Sequence, residues 1–291
     1  TGVQTTGNGP IRAYDQAADL IADPEVNAVY IATPPGSHEE YTLAAAAAGK
    51  AVYVEKPMAR THAECQTMVK ACADAGVPLF VAYYRRRLPS LEQVRQLVAN
   101  GAIGEVQSVH LRLVQFLPNW TPDKLPWRVQ PALSGGGIFF DLACHELDYL
   151  DYLLGPLSHV AGRAVNRGGL YAAEDNVVGT WEHPGGILGT GNWCFTGSPG
   201  DGEEHITLIG RHGRLRFDCF AYKPLILDTP AGHQEIPCQV PEHVQLPLIN
   251  SIVQDLLGHG PSPSTGVTAA RTAAVMDTLV ANYRATHGRG W

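Results

Sequence analysis

The sequence predicts an α/β unit followed by an α+β unit: an incomplete, doubly wound parallel sheet, then a mostly antiparallel open sheet. Three observations carry this. Over the first hundred residues, short apolar runs alternate with helix-length stretches, with Gly or Pro near the joints. After about residue 103, alternating apolar and polar runs follow one another with a single long helical stretch among them. The 291 residues are enough for two ordinary domains, drawn here at 1–102 and 103–291.

Each element has its own signal. Residues 15–22 read as a short helix stopped by Asp23-Pro24. Residues 26–32 form an apolar run with β-branched residues, ended by Thr33-Pro34-Pro35-Gly36. Ser37 is placed to cap the next helix, with Glu40 as its capping-box partner. That alanine-rich helix stops at Gly49. Residues 51–54 are continuously apolar, as a buried strand would be. Residues 61–75 form a helix closed by Gly76, and 78–82 form a third strand. This order is that of parallel strands joined by right-handed crossovers. In the second unit, Val109, Leu111 and Leu113 alternate with His110 and Arg112. Strand patterns recur at 176–182, 187–195, 205–210 and 214–217, the last two joined by the tight turn Arg211-His212-Gly213. One long helix, 139–154, ends at Gly155-Pro156. A final helix, 265–284, follows Gly260-Pro261-Ser262-Pro263.

Composition excludes several classes. A net charge of −7 lacks the basic footprint of a nucleic-acid binder. No apolar run approaches the ~20 residues of a membrane span. Residues 1–10 are polar and glycine-rich, unlike a secretory signal. The six cysteines, Cys65, Cys72, Cys144, Cys194, Cys219 and Cys238, form no Cys-x-x-Cys pair and read as reduced thiols of a cytoplasmic protein.

Two motifs carry chemistry. Ala51-Val52-Tyr53-Val54-Glu55-Lys56-Pro57 sets a lysine at the end of a strand. Gly135-Gly136-Gly137 opens a helix that places Asp141 and His145 one turn apart on one face. At these positions the chain resembles the Gfo/Idh/MocA family of nicotinamide-dependent oxidoreductases, from about Tyr14 to the C-terminus. The resemblance implies a Rossmann-like first unit, NAD or NADP as cofactor, and hydride transfer between nicotinamide and a secondary alcohol or ketone of a sugar, inositol or polyol. It implies that Lys56, Asp141 and His145 are catalytic, where the bland readings are a surface lysine held by Glu55 and an ordinary helix-face pair. A lysine beside a positive ring is expected to have a lowered pKa. Histidine suits a base near neutrality, with Asp148 a second candidate to orient its ring. The glycines are expected to let backbone approach a ligand. Cys144, next to His145, points elsewhere and is not expected to act as a nucleophile. A zinc-protease reading fails because the second histidine is missing, and no metal is expected.

The resemblance also implies cofactor contacts at Thr33, Pro34, Pro35, His38, Glu55, Lys56, Tyr83, Trp127 and Arg128. The plain alternatives stay open: His38 as a polar group near a helix start, Trp127 as a residue packed under a loop. Of Arg85, Arg86 and Arg87, one is expected to reach the crevice and the others to be solvated. The chain departs from the family at its start. Gly7-Asn8-Gly9-Pro10 follows no strand, and no glycine-rich phosphate turn precedes a helix. An upstream segment, or a partner supplying the missing layer, is therefore expected, and NAD is not distinguished from NADP. The rival functions are a non-catalytic or truncated scaffold and a cofactor-recycling hydrolase or lyase on the same fold. A homodimer or homotetramer is expected through the second sheet.

Overall fold

A computed structural model describes residues 11–116 and 119–287. The Gly7-Asn8-Gly9-Pro10 stretch lies outside them. α1 (Ala17–Ala22), β1 (Ala28–Ile31), α2 (His38–Ala47), β2 (Ala51–Val54), α3 (His62–Asp74) and β3 (Leu79–Val81) follow in turn. The strands pair in parallel in the order β1-β2-β3, with Ala28 opposite Ala51 and Val52 opposite Leu79. Val52 and Val54, on the central strand, are fully buried, as an unbroken apolar run requires. Thr61 caps α3 by accepting the Glu64 N–H. Ser37 does not cap α2. A 3₁₀ turn over Pro35–Ser37 runs straight into that helix, and the Ser37 hydroxyl turns back to Thr33 and the Pro34 carbonyl.

α4 (Pro89–Ala99) was not anticipated from the sequence, although its signals are ordinary. Pro89 stands at the first helical position, and Leu91 and Val94 face the core three residues apart. Then come β4 (Val106–Phe116), the short α5 (Pro131–Ser134), α6 (Ile138–Leu154), β5 (Ser158–Val165), β6 (Asn176–His183), β7 (Ile187–Gly197), β8 (Glu203–Gly210), β9 (Gly213–Phe217), β10 (Leu225–Thr229) and β11 (Gly232–Ile236). They form an eight-stranded sheet ordered β11-β10-β9-β8-β4-β7-β6-β5, antiparallel except where β4 meets β7. The sequence reading missed β5, β10 and β11. β5 and β11 are edge strands whose side chains are mostly exposed, so no apolar alternation marks them.

α6 and the C-terminal α8 (Gly266–His287) cover one face of this sheet. α8 can lie close because a Cβ on Gly162 or Gly179 would come within 2.6 or 2.4 Å of Leu279. The other face presents His110, Arg112, Thr190 and Leu188 outward. α7 (Leu246–Leu256) was also missed. It returns to the first sheet, where Leu248 and Ile252 pack on Phe80. The small sheet is thus covered in part by residues far downstream.

Candidate active site

The loops after β1 and β2 lie side by side. The Glu55 N–H donates to the Ile31 carbonyl, and His38 spans the two loops. Its Nδ1 lies 3.1 Å from the Met58 carbonyl and its Nε2 2.7 Å from the Thr33 carbonyl. The ring is fully buried, and burial lowers its pKa. Both nitrogens face backbone carbonyls, and the single N–H of the neutral ring donates to one of them, so His38 ties the two loops together. Glu55 is equally engaged. It accepts from the Tyr30 hydroxyl at 2.5 Å, from Gln245 Nε2 at 3.0 Å and from the Lys56 N–H at 3.1 Å. Thr33 and Pro34 are half-buried and Pro35 is buried. Gly36 lets this loop touch α5, since a Cβ there would stand 3.1 Å from the Ala132 carbonyl.

Lys56 points across to α6. Its Nζ donates to Asp141 Oδ1 at 2.6 Å and to the Asp141 carbonyl at 3.0 Å. Burial works against the ammonium, but Cys144 and Asp141 more than offset it, and the pKa rises above the ordinary lysine value. In the protein alone this is the reverse of the lowering expected from sequence. Asp141 Oδ2 also meets Arg128 Nε at 3.4 Å, and that guanidinium stacks 4.6 Å over the Trp127 ring. Lys56, Asp141 and the adjacent Trp127 and Arg128 therefore converge, although they come from three segments.

His145 lies one turn further along α6, only 2% exposed. Its ring meets Tyr84, Tyr83 and Phe220 edge-on, at centroid distances of 5.3, 6.0 and 6.1 Å. Among the described residues Nδ1 has no hydrogen-bond partner. Burial, then the charges of Arg85 and Lys56, hold its pKa well below the ordinary value. It is a neutral imidazole across the neutral range, so it does not titrate there as the sequence suggested. Asp148 does not orient it, because that carboxylate is held by Arg86 at 2.7 and 2.8 Å. Tyr83 is buried, and burial raises its pKa well above the ordinary phenol value. Burial likewise pushes the Cys144 thiol up to about 12, which leaves it inert as a nucleophile.

Two expectations are corrected. The glycine run packs on the chain itself. A Cβ on Gly135 would meet Arg60 backbone at 2.7 Å, one on Gly136 the Phe140 ring at 2.1 Å, and one on Gly137 the Glu174 carbonyl at 2.5 Å. In the arginine run two residues are buried, not one. Arg86 pairs with Asp148, and Arg85 enters the site region beneath Tyr84 and Phe220. Only Arg87 lies partly open, near Glu92. Sequence showed the run but not this division, which depends on the acids α6 presents.

Two family models match. Residues 6–83 match the oxidoreductase family with NAD-binding Rossmann fold, and residues 91–216 match the GFO/IDH/MocA C-terminal domain. An oxidoreductase of Formosa agariphila is 31% identical over 265 residues, spanning 90% of this chain and 81% of that one. The chain belongs to the Gfo/Idh/MocA oxidoreductase family. The 1,5-anhydro-D-fructose reductase of Ensifer adhaerens is 30% identical over 277 residues, spanning 90% of this chain and 78% of the relative. Among solved folds, levoglucosan dehydrogenase in complex with NADH and levoglucosan superposes with a TM-score of 0.84 at 22% identity, covering 94% of this chain and 82% of that one. The WlbA dehydrogenase from Bordetella pertussis, in complex with NADH and UDP-GlcNAcA, superposes with a TM-score of 0.81 at 25% identity over the same shares. Membership of the family makes this a nicotinamide oxidoreductase fold: a Rossmann-like parallel sheet followed by a mostly antiparallel one. Among the described residues no helix is long and apolar enough to cross a membrane.

The residues present fit the redox end of a nicotinamide cofactor. The ends of β1 and β2 lie side by side, and the buried His145, with its unpartnered Nδ1, lies near enough to Lys56 to feel its charge. Ligands of open parallel sheets lie at such strand ends.

Proposed function

We propose that the protein is an NAD(P)-dependent oxidoreductase acting on a secondary alcohol or ketone of a sugar, inositol or related polyol. The observation that carries this is the Lys56–Asp141 ion pair, 2.6 Å long, at the carboxyl end of β2, with the neutral His145 one helical turn away. The relatives named for sugars and anhydrosugars support the same substrate class. Residues 1–102 form the cofactor unit and 103–291 the substrate unit in this reading.

Thr33, Pro34, Trp127 and Arg128 hold the dinucleotide, while His38, Glu55 and Pro35 shape the loops beneath it. The cofactor, when bound, supplies or accepts the hydride. Lys56, charged through its pairing with Asp141, donates a hydrogen bond to the carbinol or carbonyl oxygen and manages its proton. Asp141 holds the ammonium in place. His145, neutral, accepts from the substrate hydroxyl through Nδ1. Tyr83 walls the pocket beside His145.

The test is turnover of reduced nicotinamide over a panel of sugars and polyols, with NAD and NADP compared. Lys56→Ala should cut turnover by ~10²–10⁴-fold, the usual contribution of a general acid–base group. Undiminished turnover in that variant would remove Lys56 from the chemistry. The outward face bearing His110, Arg112, Thr190 and Leu188 is the surface through which two copies would pair, and light scattering tests that. The six free cysteines suit a reducing, cytoplasmic setting.

A further inference from the structure

We propose that Arg85 binds a carboxylate of the substrate, so that this enzyme acts on a sugar acid, a uronate or an aldonate, rather than on a neutral sugar. The inference rests on the oxidoreductase reading of the site and narrows it.

Arg85 is 4% exposed. Its side chain makes one hydrogen bond among the described residues, from Nε to the Cys219 carbonyl at 2.9 Å. That bond fixes the guanidinium plane and leaves the Nη1–Nη2 edge free. Nη1 is buried without a partner. The group is clamped between two rings, 4.8 Å from Tyr84 and 4.4 Å from Phe220. The His145 ring contacts the same two rings, and the Arg85 charge acts on it, so the unpartnered Nδ1 and the guanidinium belong to one cluster.

A buried cation without a carboxylate is unusual, because burying an unpaired charge is expensive. The neighbouring Arg86 shows the ordinary solution, with a bidentate aspartate at 2.7 and 2.8 Å. Arg85 has no such partner among the described residues. The acids in its neighbourhood make no hydrogen bond to it among the described residues, although Glu204 lies near enough that the Arg85 charge works against burial at that carboxyl. Glu204 accepts the N–H groups of Cys219 and Phe220 at 2.6 and 3.1 Å, and Glu146 accepts from Trp193 Nε1 at 2.7 Å. Burial, then the charge of Glu204, raises the Glu146 pKa well above the usual range, so it brings no negative charge at neutrality.

The missing partner is a planar anion. A guanidinium edge with two free donors matches a carboxylate in a two-bond fork, a geometry lysine cannot offer. Lys56 already has Asp141, so it remains for the reacting oxygen. A substrate carrying a carboxylate on a carbon beyond the carbinol would occupy both groups at once.

The experiment measures binding by thermal shift and calorimetry, with and without NAD. Its ligands are D-glucuronate, D-gluconate, D-glucose and inorganic phosphate. The two acids should bind on the order of 10–100-fold more tightly than glucose, as expected of charge-assisted hydrogen bonds. Arg85→Gln should abolish that preference, and Arg85→Lys should keep only part of it. Should Arg85→Gln fail to fold, Arg85→Lys with the same ligands decides the matter. Equal binding of glucose, equal binding of phosphate, or an unchanged preference in the variants overturns the assignment. Turnover separates the two claims. Oxidation of neutral polyols with the acids inert sinks the carboxylate site and leaves the oxidoreductase. Acid binding that depends on Arg85, without turnover of any substrate, sinks the oxidoreductase reading instead.

Discussion

Helix α6 meets cations at both ends, and the two ends put the same chemistry to different uses. Near its start, Asp141 pairs with Lys56, and both side chains keep some exposure, 25% and 16%. Two turns later, Asp148 and Asp151 pair with Arg86 in a region where all three side chains are no more than 2% exposed. Arg271 from α8 completes that second group with a fork on Asp151 at 2.6 and 2.9 Å. At the far end every side-chain nitrogen of Arg86 has a protein acceptor, Nη1 included, which reaches the Pro263 carbonyl at 2.9 Å. That network ties the turn after β3 to α6, and through Asp151 to α8. At the near end the ion pair is partly exposed, as the proposed contact with a substrate oxygen requires. Accessibility, not residue type, separates the two pairs.

The sharpest way to break the comparison is at the buried end. Arg86→Ala strips the buried Asp148 of its cation and Asp151 of the more distant of its two. Removing one member of such a pair typically costs about 3–5 kcal/mol, because the charge left behind stays buried. Denaturant unfolding should show a loss of that order. A loss below about 1 kcal/mol would mean that Arg271 alone neutralises both aspartates, and the contrast between the ends would fall.

The two ends also differ in how far the sequence announced them. The lysine at the end of β2 and the Asp141–His145 spacing stood out because strand end and helix period fix where those residues point. The parallel strands were legible for the same reason, since unbroken apolar runs such as 51–54 have few alternatives. What stayed hidden depends on contacts between distant segments. Nothing local says that Arg85 and Arg86 diverge. One turns to acids on α6, the other to the Cys219 carbonyl 134 residues away. The role of Gly135, Gly136 and Gly137 was misjudged similarly, because the neighbours they accommodate, Arg60 and Glu174, are remote in sequence. Edge strands β5 and β11 carry too little buried surface to leave a pattern, and His38 became a loop tie only once both loops were placed.

The near end has its own anchor, and it should respond to pH. Gly137 is the N-cap of α6, and its N–H donates to Glu174 Oε1 at 3.1 Å. Burial pushes the Glu174 carboxyl up to about 7, even though the Gly137 N–H favours the charged form. The folded protein therefore keeps this proton where the unfolded chain, with an ordinary value of 4.5, has released it. Between those values the native state binds more protons, so stability falls as pH rises. The contribution is full below 4.5 and is lost as pH passes through about 7. Glu174→Gln mimics the protonated form. Its stability relative to the native protein should improve by ~1–3 kcal/mol on going from about pH 5 to about pH 8. A relative stability that does not move with pH would show that Glu174 is ionised in the fold.

The smallest expected effect is at Arg128, which stands toward Asp141 as Arg86 stands toward Asp151: the more distant of two cations on one acid. The resemblance ends at exposure, since Arg86 and Asp151 are each 2% exposed. Arg128 is 52% exposed and stands 3.4 Å from Asp141 Oδ2, with its guanidinium over Trp127. Exposed pairs of this kind contribute about 0–1 kcal/mol and weaken with salt. Arg128→Ala should therefore shift the unfolding midpoint by less than ~0.5 kcal/mol. Its effect should appear instead in cofactor affinity, as a weakening of NAD or NADP binding that high salt diminishes. A large stability loss with unchanged cofactor binding would reverse the contrast, making the near end as structural as the far one.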